Sequence, residues 1–281
     1  MSTRPNPLLT FASLALQVAA GALPPYSHPK SPRKYTQPQL LACLLLKAHL
    51  KQSYRGIADL LAAADGLRDA LGLARVPDHS TLQDFAARAV SPEAVDRLLA
   101  ALLERVGPAF DGAAIDSTGM EPSGASAHYQ ARSGRVRKRY VKLSVAVLCG
   151  SLLPLGLVVS RGPCNDKREA RELLERASRK GRPKRLLADK GYDAEWVHEF
   201  CHDRWCVASY IPAVIHRKDG TAGGRWRSRM VTMPKLYGQR WHVESYMSGL
   251  KRTTGSQLTA RTDATLDAEA SLRVLAYAVR R

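Results

Sequence analysis

Cysteine is scarce in this sequence, and the few cysteines form none of the usual motifs. There are 5 among 281 residues, irregularly spaced and without a CxxC pair. This usage disfavours a disulfide-built extracellular domain and predicts a protein of the reduced cytoplasm. A cluster does occur at His198, Cys201, His202 and Cys206. Because Cys201 projects from another part of the predicted helix than the two histidines, we expect ordinary packing there and not a zinc site.

Nucleotide-binding motifs and a membrane span are also missing. Neither GxGxxG nor GxxxxGK[ST] occurs, which argues against a dinucleotide or ATP site. The apolar segment at residues 8–23 is interrupted by Thr10, Ser13 and Gln17, and it is too short and too polar for a membrane span. We therefore expect a packed N-terminal helix and no membrane association.

Acidic residues are few relative to basic ones. The chain has 43 Lys and Arg against 25 Asp and Glu, a formal net charge of +18. The excess is uneven, with 12 against 9 in residues 1–112 and 31 against 16 in residues 113–281. Such an excess indicates a polyanionic partner, usually nucleic acid. Charge alone leaves open a basic protein that is ribosome-associated or merely soluble.

Residues 1–110 have the pattern of a string of short helices. Apolar residues recur at helical spacing, after a Pro-rich linker, in residues 39–52, 57–64, 82–89 and 92–106. Ser80 is the expected N-cap of the third helix. Arginines near the helix ends suit a helix-turn-helix-like DNA reader, and a helical scaffold or dimerisation domain fits equally well. We predict an all-α DNA-binding or dimerisation region over residues 1–110.

Residues 111–281 have a different pattern, which predicts an α/β domain. Strand-like runs occur at residues 113–116, 140–148, 152–160, 185–189 and 206–211, and helical runs at 168–178 and 194–202. The first three strands can pair by hairpins, and helical crossovers join the later ones. The expected domain is a mixed five-stranded sheet flanked by helices.

Three acidic residues are candidates for catalysis. Asp116 and Asp189 each end an apolar strand-like run, which is where open α/β sheets place their ligand sites. Glu244 lies in a helix-compatible stretch near the C-terminus. Carboxylate oxygens suit Mg²⁺ or Mn²⁺, and a pair of such ions serves phosphodiester chemistry. Without metal, mutual repulsion should raise the pKa of at least one of these acids.

Polar residues around Glu244 share one side of the predicted helix. At about 100° per residue, Tyr237, Arg240, Glu244 and Lys251 fall in a wedge about 60° wide. An apolar stripe borders this wedge and consists of Leu236, Val243, Met247 and Leu250. The pattern aims a carboxylate and its flanking cations into a cleft and not at bulk water.

The spacing Tyr237-(2)-Arg240-(3)-Glu244-(6)-Lys251 matches the Y-R-E-K signature of DDE-type transposases of bacterial insertion sequences, in the IS-four and IS-five type groups. Asp116 in AIDST and Asp189 in ADKGYD resemble the first two acids of that family. The resemblance spans roughly residues 35–280. It implies an RNase H-like catalytic domain over residues 111–281, in a cytoplasmic, nucleoid-associated bacterial enzyme.

The resemblance also implies roles for individual residues. Asp116, Asp189 and Glu244 would bind two Mg²⁺ or Mn²⁺ ions and act on DNA at the terminal inverted repeats of the element, in an active homodimer. Phosphates would be held by Tyr237, Arg240 and Lys251, and the DNA backbone followed by a basic turn with Arg137, Lys138 and Arg139. The alternatives are an RNase H-like nuclease or resolvase, and a domesticated, catalytically silent DNA-binding protein.

A basic, Gly-rich stretch at residues 217–229 is expected to form a flexible loop that contacts DNA. Trp226 or Trp241 is a candidate for stacking on an unpaired base near the cut. For Trp241, packing in the core is the favoured interpretation.

Overall fold

The computed structural model describes residues 6–122, 140–215, 218 and 220–281, and it divides them into two compact units. The helical unit contains residues 6–106, 122 and 250–281. The sheet unit contains the described residues of 107–121 and 140–249. The basic turn with Arg137, Lys138 and Arg139 lies outside the described residues.

The helical unit begins with the apolar segment of the sequence. This segment forms α1, Pro7–Ala22, and buries Phe11, Ala15 and Val18, which confirms a packed helix. Five helices follow up to residue 106: α2 Gln37–His49, α3 Tyr54–Ala63, α4 Asp65–Ala70, α5 His79–Ala89 and α6 Pro92–Val106. Among the described residues, no helix has the length and apolar character needed to cross a membrane.

Side-chain caps set where these helices start. Thr36 and Gln39 form a capping box that fixes the start of α2. The N-cap of α5 is Asp78, whose Oδ1 accepts from the backbone N–H of Ser80 at 2.8 Å. The prediction of Ser80 as N-cap was therefore wrong. The cap lies two residues earlier because the carboxylate of Asp78 satisfies the first free N–H groups.

The mixed sheet flanked by helices is confirmed. Among the described residues it has six strands and not the predicted five, and five of the six build the sheet unit. The strands are β1 Ala113–Pro122, β2 Tyr140–Leu148, β3 Pro154–Gly162, β4 Arg185–Leu187 and β5 Ala208–Tyr210. Their order is β3-β2-β1-β4-β5. The first three strands pair antiparallel, and β4 and β5 continue the sheet in parallel with β1.

Helical segments connect the parallel strands. α7, Lys167–Ser178, packs on β2 and β3. It comes close because β3 has Gly156 there: a Cβ at this position would lie 3.1 Å from the carbonyl oxygen of Leu173. α8, Glu195–Glu199, continues as a π-helix at Phe200–Arg204 and leads to β5. Further along the chain, α9 occupies Trp241–Thr254.

The C-terminal segment packs with the helical unit. β6, Gln257–Leu258, is followed by α10, Asp263–Arg280, which packs on α1, α2, α5 and α6. α10 buries residues on most of its circumference, as a helix surrounded by other helices does. The sequence predicted a division between residues 110 and 111, with residues 111–281 in one domain. By packing, residues 250–281 lie with the N-terminal helices instead.

Candidate active site

Asp116 lies within β1 and not at its end. The strand continues to Pro122, so the prediction that it ends at the acid was wrong. The neighbouring strand explains the accessibility of this residue: β4 pairs with Ala113 and Ala114 and then ends, so Asp116 lies just beyond it. Its Oδ1 accepts from the backbone N–H of Ser117 at 2.8 Å. A rigid strand thus presents a half-buried carboxylate.

The pKa of Asp116 is raised above its ordinary value. Burial is the largest cause, and the negative charges of Asp189 and Asp166 add to it, while the Ser117 N–H and Arg240 oppose it. The sequence predicted that mutual repulsion raises the pKa of at least one of the three acids without metal. The pKa of Asp116 is raised, but burial contributes more to this than the neighbouring acids do. An acid in these surroundings is stabilised in its charged form by a nearby cation.

Asp189 follows the end of β4 and starts a short turn. Its Oδ1 accepts from the backbone N–H of Gly191 at 2.8 Å and caps the 3₁₀ helix Lys190–Tyr192. Gly191 is required by close approach, since a Cβ there would lie 2.9 Å from Asp189 Oδ1 and 3.3 Å from Asp166 Oδ2. The turn therefore brings the carboxylates of Asp189 and Asp166 close to each other.

Asp166 is a further acid beside this turn, outside the three candidates that the sequence pattern indicated. In the structure the hydroxyl of Ser117 donates to its Oδ1, and the ammonium of Lys142 lies 2.8 Å from the same oxygen. Lys142 is only 2% exposed and also contacts Glu169 Oε2 at 3.0 Å. Asp166 is thus joined to the residue that follows Asp116, and sequence spacing gives no sign of that link.

The ammonium of Lys142 remains charged in this setting. Burial by itself would lower its pKa, but Asp166 and Glu169 outweigh that effect and raise it above the ordinary value. Two carboxylates around one buried ammonium form a compensated cluster. Through the bond from Ser117 to Asp166, this cluster links β1 to Lys142 of β2 and Glu169 of α7.

The sequence predicted one continuous helix for the stretch with the Y-R-E-K spacing. The structure divides this stretch into two helical segments. Tyr237 and Arg240 lie on a 3₁₀ helix, Lys235–Arg240, and α9 starts at the next residue. Residues three apart eclipse on a 3₁₀ helix, so Tyr237 and Arg240 still share a face. Of the apolar stripe, Val243, Met247 and Leu250 are buried, and Leu236 is half-buried.

Arg240 contacts two of the three candidate acids. Its Nη1 lies 3.6 Å from Asp116 Oδ2, and its Nη2 contacts Glu244 Oε1. The Glu244 side chain is 55% exposed, so it remains free to turn. In the described part of the chain, no three or more His, Cys, Asp or Glu side chains are placed as a ready-made metal site. The guanidinium stands between Asp116 and Glu244, so two carboxylates share one positive charge.

Tyr237 and Lys251 have different surroundings. The Tyr237 hydroxyl donates to the carbonyl of Ala188, at 3.1 Å, directly before Asp189. It thereby ties the 3₁₀ helix to the end of β4. Lys251 is half-buried in α9, two turns after Glu244. A phosphate-binding role for Tyr237, Arg240 and Lys251 stays a prediction.

The two candidate base-stacking tryptophans have different surroundings, and the prediction that Trp241 packs in the core was wrong. Trp226 stacks on His202 with ring centroids 3.7 Å apart and planes at 3°, and two guanidiniums also lie over its ring. These contacts occupy the ring that a base would need. Trp241, expected in the core, is 55% exposed at the start of α9 and contacts His242. Helical periodicity could not separate these cases, because both residues border loops.

Comparison with known proteins adds to this geometry. A family model described as a transposase DDE domain matches residues 108–279, more than half of the chain. No curated protein matches the chain. Among solved structures, the chain is similar to piggyBac transposase, determined by cryo-EM as a synaptic complex with hairpin DNA. The TM-score is 0.47 and the identity 11%, over 99% of this chain and 74% of that chain.

Proposed function

Because the chain belongs to the family of transposases with a DDE domain, we propose that it cuts and rejoins DNA at the terminal inverted repeats of its own mobile element. The enzyme is a DNA transposase, and its partner is DNA. The observation that carries the proposed site is the convergence of Asp116 with Asp189 and Asp166, beside an arginine that reaches Glu244.

We infer that the sheet unit has an RNase H-like fold. Three antiparallel strands followed by two parallel strands, in the order β3-β2-β1-β4-β5, support this inference. The first acid lies on the central strand β1 and the second follows its parallel neighbour β4. In this arrangement two carboxylates from different strands meet at the same edge of the sheet.

DDE transposases use divalent metal ions, and the residues present here fit such ions. The candidate donors are all carboxylate oxygens, which Mg²⁺ and Mn²⁺ prefer. Burial, together with the charges of Asp189 and Asp166, disfavours the ionised form of Asp116, and a bound cation would favour it. We propose that Asp116, Asp189 and Glu244 hold two Mg²⁺ or Mn²⁺ ions. For this, Glu244 must turn away from Arg240.

Two substitution steps follow from this proposal. First, water attacks a phosphodiester at each element end, the bond from phosphorus to the 3′ oxygen breaks, and the element keeps a 3′-OH. Second, that 3′-OH attacks a phosphodiester of target DNA and displaces the target's own 3′ oxygen. A divalent pair, when bound, activates the attacking oxygen and stabilises the leaving oxygen. The chain's own carboxylates fix the geometry of that pair.

Arg240 has two successive partners in this scheme. Without DNA it neutralises Asp116 and Glu244. When DNA enters, the phosphate next to the scissile bond competes for the guanidinium, which binds phosphate in a bidentate manner. The two acids are then free for metal. Lys251 would hold a second phosphate, and Tyr237 would hydrogen-bond another or keep its bond to Ala188 to position Asp189.

Two element ends must be joined together, so we propose that the active complex is a homodimer. The helical unit, with α1 to α6 and α10, would bind the inverted repeats. A nuclease or resolvase without strand transfer is the second candidate function, because it would use the same three acids.

Nicking of end DNA tests the proposal. The substrate is a duplex with the DNA that flanks the gene, incubated with the full-length chain and Mg²⁺ or Mn²⁺. We expect nicking at a fixed position, reduced at least about 10³-fold in Asp116→Asn and in Glu244→Gln because each removes a metal ligand. The matched control is Glu121→Gln, since this exposed acid lies on the same strand as Asp116. Cleavage at random positions would favour the nuclease.

A further inference from the structure

Two described parts of the segment 213–230, residues 213–215 and 224–230, are anchored to the turn that follows Asp189. Asp193, 4% exposed, accepts from Arg227 Nε at 2.7 Å with Oδ1 and from Arg227 Nη2 at 2.8 Å with Oδ2. The backbone N–H of Val214 also donates to Oδ2, at 2.7 Å. One buried carboxylate thus fixes both ends of the segment. The sequence predicted a flexible loop that contacts DNA over residues 217–229. Arg227, within that stretch, is instead held in place, and contact of the stretch with DNA stays a prediction.

A second acid fixes the middle of the segment. Glu195 accepts from the backbone N–H groups of Trp226 and Arg227, at 2.8 and 3.1 Å. Gly224 makes room for it, since a Cβ there would lie 2.7 Å from Glu195 Cδ, and φ of +105° favours glycine as well. Asp193 and Glu195 are therefore the two anchors of this segment.

The anchored segment carries an ordered stack of rings and cations. His202 covers one face of Trp226 at 3.7 Å. The guanidinium carbons of Arg225 and Arg229 lie 4.7 and 5.1 Å from the centre of the same ring. Both arginines are exposed, and neither is paired with a carboxylate in the part of the chain that the structure describes. Cation–π contact holds their charged groups close together without neutralising them.

We propose that Arg225 and Arg229, held on Trp226, form a preorganised clamp for the phosphate backbone of duplex DNA beside the turn of Asp189. Trp226 acts in this clamp as a positioning residue that no base contacts. Arginine suits the task because its planar group stacks on an aromatic ring while its N–H edge remains free for phosphate. The inference rests on the proposed function only in naming DNA as the polyanion.

Arg225 and Arg229 differ from other exposed arginines because they are already ordered before DNA binds. A free arginine loses much of its side-chain freedom on binding, which costs part of the gain in free energy. Here Asp193, Glu195 and His202 have already ordered the segment and its ring. The same two charges should therefore contribute more to DNA affinity than two charges on an unconstrained surface.

Salt-dependent binding tests the clamp without depending on cleavage. The probe is a random-sequence duplex of about 30 base pairs without divalent metal, because phosphate contacts do not depend on sequence. Arg225→Gln and Arg229→Gln should each weaken binding by roughly tenfold. Each should also make the negative slope of log K against log salt shallower by about 1. Trp226→Leu, which keeps both arginines, should weaken binding too.

Arg182→Gln is the matched control, an exposed arginine of the same unit that makes no ring contact within the described residues. If Arg225→Gln and Arg229→Gln weaken binding no more than Arg182→Gln does, the clamp is wrong. It is also wrong if Trp226→Leu impairs only single-stranded DNA binding, because the ring would then stack on bases. Should Trp226→Leu fail to fold, the two arginine variants decide. If these binding effects are observed but the wild type does not nick end DNA, the clamp stands and the proposed function is rejected.

Discussion

Arg240 is the residue whose contacts say most about how the site is controlled. It is the positive group that reaches both Asp116 and Glu244, so it competes with any cation that those acids would bind. The Y-R-E-K spacing predicted that Arg240 lies next to Glu244, because residues four apart are neighbours on a helix. The contact with Asp116 joins residues distant in sequence and could not be predicted from spacing.

Arg240 contacts Asp116 and Glu244 and is proposed to bind a DNA phosphate, and Arg240→Gln tests these two roles with separate measurements. Without the guanidinium, Asp116 and Glu244 are no longer neutralised, so Mn²⁺ affinity of the DNA-free protein should rise by about threefold. Nicking should nevertheless fall, because the phosphate loses its partner. Mn²⁺ titration followed by electron paramagnetic resonance measures the first effect. Arg240→Lys, which keeps the charge, is the control, and a parallel fall in metal affinity and nicking would contradict the account.

Asp166 could not be identified from the sequence as a residue of the site. Asp116, Asp189 and Glu244 were selected because each has a recognisable local context in the sequence. Asp166 is linked to the sheet through Ser117 and Lys142, which β1 and β2 place beside it. Such a link depends on strand register, and register is fixed by packing and turns across the whole sheet.

At the level of elements, long periodic segments were predicted best. β2 runs from Tyr140 to Leu148 as its alternation of valines indicated, and α6 occupies Pro92–Val106 as predicted. The errors lie where local geometry depends on neighbours. β1 continues well past Asp116 because β2 pairs with it as far as Met120, and the start of the Y-R-E-K stretch is a 3₁₀ helix.

A buried histidine within α8 predicts acid sensitivity of the fold. His198 is fully buried, and its Nδ1 lies 2.7 Å from the Ser209 hydroxyl. Burial lowers the pKa of His198 to about 4, from the usual 6.5. Between these two pH values the imidazole of His198 is therefore protonated in the unfolded chain but neutral in the folded chain. Stability contributed by neutral His198 is present above pH 6.5 and is lost as the pH falls toward 4.

We expect this histidine to account for roughly 3 kcal/mol of the free energy of unfolding lost between about pH 7 and pH 4. Urea unfolding at a series of pH values measures it. His198→Gln should be less stable at neutral pH but should show a shallower fall over this range. An equally steep fall in the variant would assign the acid sensitivity to other groups.

For the whole molecule, the sequence indicated the two kinds of structure but not how the C-terminal segment packs. The transposase DDE domain match ends at residue 279, whereas α10 packs on N-terminal helices. An apolar helical pattern reports that a face is buried, and it carries no information about which partner buries it. A family defined by sequence and a unit defined by packing therefore have different boundaries here.

A transposase joins DNA as well as cutting it. Strand transfer tests this most directly: a duplex with a precut element end and a free 3′-OH is incubated with plasmid, full-length chain and Mg²⁺. The account predicts covalent joining of that end to the plasmid, abolished by a 3′-deoxy end and by Asp189→Asn. Plasmid cleavage with no joined product, at a rate indifferent to the 3′-OH, would contradict it.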